Sequence, residues 1–547
     1  MTSAGDEARV TSVHPHADRL AGTTALPEYV PALDGIRGFA VIATVLVHLR
    51  PGLIPNFHDV ANYLGGGALG VDMFFVLSGF LISSILLRER TRSDELNFKP
   101  FYLRRVTRLL PALIAFLLVY FAYGVLTHQS KLVAGVTVIT GFTYSTNWYL
   151  AFHHAADFLT MSHLWTLALE EQFYLVWPAT FMLLLLSRRP VRNTLWFCTA
   201  ATVAVWLLRI NDWSSWYTTL HHGAVEVSGT LHASSFLIGA AAAIVGTRPF
   251  AGTRFLPIAA TIACGVMAWI YAVGDSYSKL VNYGGLELFA ACVAIIILAI
   301  VEQRWIGSKF WALKPLRVTG RVSYGIYLWH PLVFTAVLRY TPTWTWYSRL
   351  VLSAVLIASV TAWSWYFVEQ PAQRLRRRLT ARSAGLSVPA RSSPRDPKDD
   401  RTRGFKVLAT GLTLVAISIA IAYALPEYEN TAAAAGTAGG STGPGNRQGP
   451  AGTQAQDAKG LLRMLVAGDS TVIDLIRNSD RRYETANVRG LATSFYGCGI
   501  ADAASLVGGK VTPFPTTCGG LNDSFRRNST AFAPDVAVLV TGSAEGR

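Results

Sequence analysis

The sequence predicts an α-helical polytopic membrane protein with ten helices in its core and an eleventh after them, followed by a small α/β domain. Its 547 residues are 51% hydrophobic and only 15% charged, which is too apolar for a soluble enzyme. Apolar blocks of about 17 to 22 residues recur between residues 35 and 368, with one more at 407–424, and each can cross a hydrocarbon core about 30 Å thick. After residue 460 the pattern changes to a strand, a turn and a helix.

The positive charge of the chain indicates membrane lipids rather than nucleic acid as its partner. The formal net charge is +15, but the basic residues lie in loops between apolar blocks. There they orient the protein and meet anionic headgroups. The first 30 residues are polar, so no removable signal peptide is predicted.

Basic loops predict the orientation in the plasma membrane. Four loops rich in Lys and Arg are predicted to be cytoplasmic: residues 88–108, 187–193, 304–321 and 374–382. If the apolar stretch 131–150 crossed the membrane, every later basic loop would lie outside. We therefore predict that 131–164 is re-entrant or packed externally, which leaves ten spans with both ends cytoplasmic.

Six segments follow from this topology. They are a cytoplasmic tail (1–32), a membrane domain (33–371), a basic cytoplasmic linker (372–406), an additional transmembrane helix (407–424), a flexible Ala/Gly-rich tether (425–459) and an extracytoplasmic domain (460–547).

The first apolar block carries two ionisable residues, Arg37 and His48, that a membrane helix must accommodate. Eleven helical steps return to within about 20° of the starting direction and rise about 16 Å. Both side chains therefore lie on one stripe at two depths. Charged groups inside membranes are costly and usually mark a functional path.

Asp72 is predicted to be the partner of His48. The helix at 67–87 runs back inward and begins near Asp72, which places both residues towards the outer half. A carboxylate beside an imidazole fixes its tautomer and raises its basicity, as a general base for a hydroxyl requires. A buried structural ion pair is the alternative.

A cluster of arginines is predicted at the cytoplasmic end. Arg104 and Arg108 share a helix face, Arg105 lies beside them, and Arg37 reaches the same level. Such a cluster suits polyanionic phosphates. Simple anchoring by positive charge is the alternative.

Two further polar groups are predicted to face the interior. Glu170 and Tyr174 are four residues apart, and His163 is seven residues before Glu170, so all three can face one cavity. His330 follows Tyr327 by one turn, although a membrane histidine is as often a packing donor. A transacylation site served from inside fits these patterns, and so does a proton-coupled transporter or flippase. A scaffold that only anchors the outer domain leaves the charges unexplained.

The motifs together resemble the acyltransferase-3 family of membrane acyltransferases over residues 33–371. They are "LDGIRG" followed by His48, "GVDMFFVLSGFLI", "FYLRRVTRLLP", "LWTLALEEQFYLVWP" and "YGIYLWHP". The resemblance implies an acyl-CoA co-substrate, expected to be acetyl-CoA, without a bound cofactor or metal. It also implies O-acylation of a carbohydrate or glycolipid at the outer face.

The resemblance implies roles for particular residues. His48 and Arg37 are expected to be essential, with Glu170 and the arginines after Tyr102 supporting. Asp72, as the predicted partner of His48, is also expected to be catalytic. Donor binding is expected from Arg37, Tyr102, Arg104, Arg105 and Arg108. Substrate contacts are expected from Asp34, His163, Tyr174, His232, Tyr327 and His330. His232 is a departure, because an arginine commonly stands at that position in the family.

"VAGDST" at 466–471 resembles the first block of SGNH hydrolases, with Gly468 and Asp469 before the nucleophile Ser470. A serine nucleophile needs a base, usually histidine. Every histidine of the chain lies at or before His330. The expectation is an incomplete SGNH-like domain, with a domain that binds without cleaving as the alternative.

A disulfide between Cys498 and Cys518 is predicted, since both lie in the outer, oxidising compartment. Closing this loop of about 20 residues would contribute about 3 kcal/mol in the chain-entropy account. Two free thiols are the alternative. The other cysteines, Cys198, Cys264 and Cys292, are predicted to pack as small apolar side chains.

Overall fold

The computed structural model divides the chain into two units, Met1–Tyr428 and Glu429–Arg547. In the first unit it describes residues 29–49, 53–54, 65–92, 98–127, 131–153, 161–216, 232–247, 255–273, 280–303, 305–376 and 397–425. In the second unit it describes residues 462–468, 488–494, 506–507, 510–511 and 536–540.

The described part of the first unit is mostly helical. In chain order the helices are α1 Pro31–Val47, α2 Leu69–Arg92, α3 Phe98–Leu126, α4 Lys131–Phe142, α5 Thr146–His153, α6 Leu164–Leu185, α7 Pro190–Trp216, α8 Ala233–Val245, α9 Phe255–Val273, α10 Leu286–Val301, α11 Ser308–Trp311, α12 Lys314–Arg321, α13 Ser323–Tyr340, α14 Trp346–Trp363 and α15 Pro397–Ala424. A 3₁₀ turn, Gly65–Ala68, precedes α2; π-helical segments precede α10 (Val281–Gly285) and follow α14 (Ser364–Glu369).

Seven helices in the described part are long and apolar enough to cross a membrane: Leu69–Arg90, Phe98–Leu126, Pro190–Asn211, Phe255–Val273, Val281–Val301, Trp346–Arg376 and Thr402–Ile421. The predicted class, a helical multi-pass membrane protein, is therefore confirmed. The remaining long helices, α1, α6, α8 and α13, are shorter or more polar, so the count of ten plus one stays a prediction.

The stretch that we predicted to be re-entrant folds into two short helices. At about 1.5 Å per residue, α4 and α5 are about 18 and 12 Å long, well below the thickness of a hydrocarbon core. Gln172 of α6 holds the turn between them, because its Nε2 donates to the Tyr144 carbonyl (2.8 Å) and to Asn147 Oδ1 (3.0 Å). Neither helix alone can cross, which is the geometry that a re-entrant segment requires.

The sequence predicted a plain basic loop at 304–321, but the structure has helices there. This stretch contains α11 and α12, which pack so closely on α1 that glycines are required at the contacts. A Cβ atom on Gly38 would lie 2.0 Å from the Leu316 carbonyl oxygen. A Cβ atom on Gly320 would lie 1.7 Å from the backbone carbonyl oxygen of Asp34. This contact fixes the α1 backbone on either side of Arg37.

Helices α2 and α8 also meet through glycines. A Cβ on Gly79 would lie 2.0 Å from the Phe236 carbonyl oxygen, and one on Gly239 would lie 2.0 Å from that of Val76. Asp72 in the first turn of α2 contacts Ser235 in the first turn of α8, so the two helices run parallel. Their backbones are in van der Waals contact, which determines what Asp72 can reach.

The additional helix α15 begins at Pro397, ten residues before the predicted boundary. It packs on α6, where a Cβ on Gly411 would lie 2.5 Å from the Leu175 carbonyl oxygen. Near its end, the Tyr423 ring meets Phe152 of α5 with centroids 5.7 Å apart. The eleventh helix is thus docked on the membrane unit.

The second unit contains five described strands: β1 Leu462–Gly468, β2 Val488–Ser494, β3 Leu506–Val507, β4 Lys510–Val511 and β5 Val536–Val540. The order β2–β1–β5 is parallel throughout, with Leu465 opposite Leu491 and Ala537. Strands β3 and β4 form an antiparallel pair. Parallel pairing is typical of α/β domains. Asp469, Ser470, Cys498 and Cys518 lie outside the described residues, so the SGNH-like site and the disulfide stay predictions.

Candidate active site

A cavity of about 330 Å³ opens within the helical unit between α1, α2, α3, α6, α13 and the helical stretch that ends at Arg376. Its basic lining is Arg37, Arg104, Arg105, Arg108 and Arg376. Its other polar residues are Thr166, Glu170, Ser323, Tyr324, Tyr327 and Gln373. Its apolar wall consists of Val71, Phe74, Phe75, Ile85, Phe101, Leu109 and Leu167.

The cavity is elongated along α2. Its lining runs from Ile85 to Val71, which are 14 residues and therefore about 21 Å apart on that helix. Arg37 also lines a smaller cavity of about 90 Å³ with Ser84 and Arg88. The arginines therefore lie towards the Ile85 end, which the basic loops predict to be cytoplasmic.

Positive charge in this cavity exceeds what its carboxylates neutralise. The Arg108 guanidinium lies close enough to those of Arg37 and Arg105 to be repelled by both. Glu170 is the one acidic residue among those lining the described cavity. Guanidinium clusters of this kind are typical of sites for phosphates or carboxylates. The predicted arginine cluster is thus assembled in space, and Arg376 extends it.

Glu170 lies at the arginine end and orients Arg105. Its Oε1 accepts a hydrogen bond from Ser78 Oγ (2.6 Å) and another from the Tyr174 hydroxyl. Arg105 Nη2 is 3.8 Å from the same oxygen, its Nε is 3.7 Å from Glu171, and its guanidinium covers the Tyr174 ring. Glu170 and Tyr174 therefore hold the Arg105 side chain in place.

For the acetyl-CoA donor that the family resemblance implies, we expect Glu170→Gln to raise the KM about 5- to 10-fold with kcat within about twofold, because a lost charge-assisted contact is worth about 1 to 1.5 kcal/mol. Initial rates of the reconstituted protein over a range of acetyl-CoA concentrations test this. Glu302→Gln, at the end of α10, is the matched control. A fall in kcat with KM unchanged would contradict the positioning role.

Three histidines from different parts of the chain meet beyond the other side of the cavity; we call His48, His163 and His330 the histidine cluster. The ring centroids of His48 and His330 are 5.0 Å apart, and those of His330 and His163 are 5.6 Å apart. His330 was predicted only as a possible contact. Its place against His48 was missed, because spacing within one helix does not reveal which helices adjoin.

Backbone carbonyls fix the tautomers in the cluster. His48 Nδ1 donates to the Thr44 carbonyl (2.7 Å), and His330 Nδ1 donates to the Tyr327 carbonyl (2.8 Å). A carbonyl only accepts, so each Nδ1 carries the proton and each neutral ring keeps a lone pair on Nε2. His330 is fully buried, and its Nε2 has no hydrogen-bond partner among the described residues. Both rings can therefore take up a proton at Nε2.

Tyr327 connects the histidine cluster with the cavity. Its hydroxyl donates to the His163 carbonyl (2.5 Å) and is hydrogen-bonded to Thr166 Oγ1. Both Tyr327 and Thr166 line the cavity. The Tyr327 ring lies 5.4 Å from His163 and 5.8 Å from His330. One face of this tyrosine thus borders the cavity and the other borders the histidines.

The predicted pairing of Asp72 with His48 is wrong. Asp72 Oδ1 lies 3.0 Å from His232 Nδ1 and accepts a hydrogen bond from Ser235 Oγ (2.7 Å). The close contact of α2 with α8 turns this carboxylate towards α8 instead of α1. His232, the departure from the family pattern, is thereby held by Asp72, and its ring lies 5.2 Å from Trp165.

An ion pair missed by the sequence reasoning lies next to that pair. Arg209 Nη1 is 2.7 Å from Glu287 Oε1, and Ser234 Oγ donates to the same oxygen (3.1 Å). Arg209 is only 2% exposed. An arginine inside the apolar block of α7 was the signal available in the sequence.

Asp34 and Tyr102 also lie outside the lining of the main cavity. Asp34 accepts a hydrogen bond from the Tyr29 hydroxyl (2.7 Å) and lies 3.6 Å from Arg321 Nε. The Tyr29 hydroxyl, and then Asp34, raise the pKa of Arg321. Tyr102 donates to the Leu175 carbonyl (3.1 Å) and does not line the cavity.

The fold and site define a class: a multi-pass membrane protein with an arginine-lined cavity that leads to a buried histidine cluster. The chain belongs to the acyltransferase-3 family, since the family model described as "Acyltransferase domain" matches residues 30–369.

Two curated relatives indicate the chemistry of similar chains. The peptidoglycan O-acetyltransferase OatA of Listeria monocytogenes is 34% identical over 371 residues, which cover 63% of this chain and 56% of the relative. The O-acetyltransferase OatA of Staphylococcus aureus is 29% identical over 370 residues, covering 64% and 58%. The chain thus spans a little over half the length of these relatives. No solved structure matches it. These matches do not favour the transporter alternative.

Proposed function

We propose that this protein is a membrane O-acyltransferase that moves an acetyl group from cytoplasmic acetyl-CoA to a hydroxyl of a cell-envelope carbohydrate. The observation that carries the proposal is the elongated cavity, with five arginines towards one end and Tyr327, next to the histidine cluster, in its wall. The acceptor proposed from the relatives' names is peptidoglycan. A glycolipid is the second acceptor class.

The donor would bind with its phosphates on the arginines. Coenzyme A carries a diphosphate and a 3′-phosphate, and planar guanidinium groups bind such oxygens in pairs. Arg37, Arg104 and Arg108 would make these contacts, with Arg105 oriented by Glu170. Phe74 and Phe101 offer an apolar wall to the pantetheine arm. The thioester would then lie towards Thr166 and Tyr327.

His48 would act as the base. Its Nδ1–H is held by the Thr44 carbonyl, so the lone pair on Nε2 can accept the proton of the acceptor hydroxyl. The resulting oxygen nucleophile attacks the thioester carbonyl, and the coenzyme A thiolate leaves. An acyl group carried on the same nitrogen is the alternative route, and it requires the same tautomer.

The proposed topology has α1, α2, α3, α6, α7, α8, α9, α10, α13 and α14 crossing the plasma membrane, with α15 as the eleventh span. The N-terminus is then cytoplasmic and the second unit lies outside. Its β1 ends at Gly468, directly before Asp469 and Ser470. In the SGNH-like proposal Ser470 accepts or positions the glycan-bound acyl group.

Acetyl transfer by the reconstituted full chain tests the function. The assay supplies [¹⁴C]acetyl-CoA and soluble peptidoglycan fragments, and it measures alkali-labile label on the carbohydrate together with free coenzyme A thiol. We expect equal amounts of ester and thiol from wild type. Thiol release without ester would instead indicate a hydrolase, and no reaction with acetyl-CoA or longer acyl-CoA would overturn the proposal.

A further inference from the structure

The proposed reaction moves a proton as well as an acetyl group. The acceptor O–H bond breaks and an ester C–O bond forms, while the thioester C–S bond breaks and a thiol S–H bond forms. No proton is gained or lost overall. The proton leaves the acceptor at His48 and must end on the sulfur in the cavity, so it needs a route between the two.

His330 is positioned to provide that route. Its ring lies between those of His48 and His163, at centroid distances of 5.0 and 5.6 Å. Its buried Nε2 has no hydrogen-bond partner among the described residues, although a buried polar atom without a partner costs about 1 to 3 kcal/mol. Such a cost inside a functional site is expected where the atom must receive a proton during the reaction.

Side chains from three parts of the chain pack around the His330 ring. Helix α1 contributes His48, the segment before α6 contributes His163, and α13 itself contributes Tyr327 and Phe334. Among the described residues, no carboxylate contacts this ring. A proton placed on His330 therefore has no carboxylate beside it to retain it.

We propose that His330 takes up at Nε2 the proton that His48 removes from the acceptor hydroxyl and gives it up again, on the side that Tyr327 borders, to the coenzyme A thiolate in the cavity. The proposal rests on the acyltransferase function. His330 acts through His48, so it is a positioning and proton-holding residue and does not itself touch the acceptor.

Two variants separate proton transfer from packing. His330→Gln keeps an N–H donor for the Tyr327 carbonyl but cannot hold the proton, and we expect kcat to fall about 100-fold with the KM for acetyl-CoA unchanged. In His330→Ala, added imidazole should raise kcat in proportion to its concentration. Thr335→Val, one turn further along α13, is the control, because among the described residues the Thr335 hydroxyl bonds only to the Pro331 carbonyl. This variant should have the kcat of wild type, and added imidazole should not change it.

Wild type supplies a test that needs no variant. Single-turnover transfer rates in H₂O–D₂O mixtures should give a curved plot, since more than one proton moves. A straight plot, or a His330→Gln protein with kcat within about threefold of wild type, would overturn the relay. If wild type itself transferred no acetyl group, the proposed function would fail and the relay with it; wild-type transfer with an unaffected His330→Gln would overturn the relay alone.

Discussion

His48→Ala is expected to lower kcat for acetyl transfer about 10³-fold while the KM for acetyl-CoA stays within about twofold of wild type. General base catalysis contributes about 10²- to 10⁴-fold, and here the basic atom would be His48 Nε2, whose tautomer the Thr44 carbonyl fixes. The arginines that would bind the donor lie towards the other end of the cavity and stay in place. Steady-state rates of ester formation by the purified, reconstituted chain test this expectation.

The control for His48→Ala is Ile42→Ala, on the same helix but 40% exposed. This variant should retain the wild-type kcat. Elution as a single peak in size-exclusion chromatography shows that each variant is folded. If folded His48→Ala kept more than about a tenth of the wild-type kcat, His48 would not be the base.

Gly38→Ala and Gly320→Ala are expected to destabilise the membrane unit by about 3 kcal/mol each, at the upper end of the cost of overpacking. In both positions the added Cβ would lie 2.0 Å or less from a backbone oxygen of the opposing helix. A backbone atom cannot rotate away, so α1 and α12 must separate. A fall in the thermal midpoint of roughly 3–5 °C in detergent is the expected measurement.

Glycines without neighbours provide the matched controls for these substitutions. A Cβ on Gly265 of α9 or on Gly135 of α4 would meet no atom within 4 Å. Alanine is the better helix former by about 1 kcal/mol, so these variants should be neutral or slightly more stable. If Gly38→Ala were as stable as Gly265→Ala, the close contact of α1 with α12 would be wrong. Because Arg37 is next to Gly38, the same variant should also raise the KM for acetyl-CoA.

The helical class and the arginine cluster could be predicted from the sequence, because each depends on short-range patterns. Apolar blocks of membrane length indicate helices, and basic loops mark one side. The α3 arginines, Arg104, Arg105 and Arg108, lie close together in the sequence. To predict that they meet Arg37, only the direction of each helix across the membrane had to be known. Spacing within α6 likewise placed Glu170 beside Tyr174.

The partners of Asp72 and His48 could not be predicted in this way. They depend on which helices adjoin, and α2 lies against α8, a helix about 160 residues later in the chain. Small residues such as Gly79 and Gly239 permit that contact, but glycine alone does not name its opposite helix. The meeting of His48 with His330 is of the same kind. Depth could be inferred from the sequence, whereas the neighbour at that depth could not.

A sided transfer assay in sealed proteoliposomes tests whether the acetyl group passes through the arginine-lined cavity from one face of the membrane to the other. Labelled acetyl-CoA is supplied only on the face with the basic loops, and soluble peptidoglycan fragments only on the opposite face. Transfer through the cavity should give alkali-labile label on the fragments in wild type and none in His48→Ala. Label that appears only when donor and acceptor share one face would contradict transfer through the arginine-lined cavity and across the membrane unit.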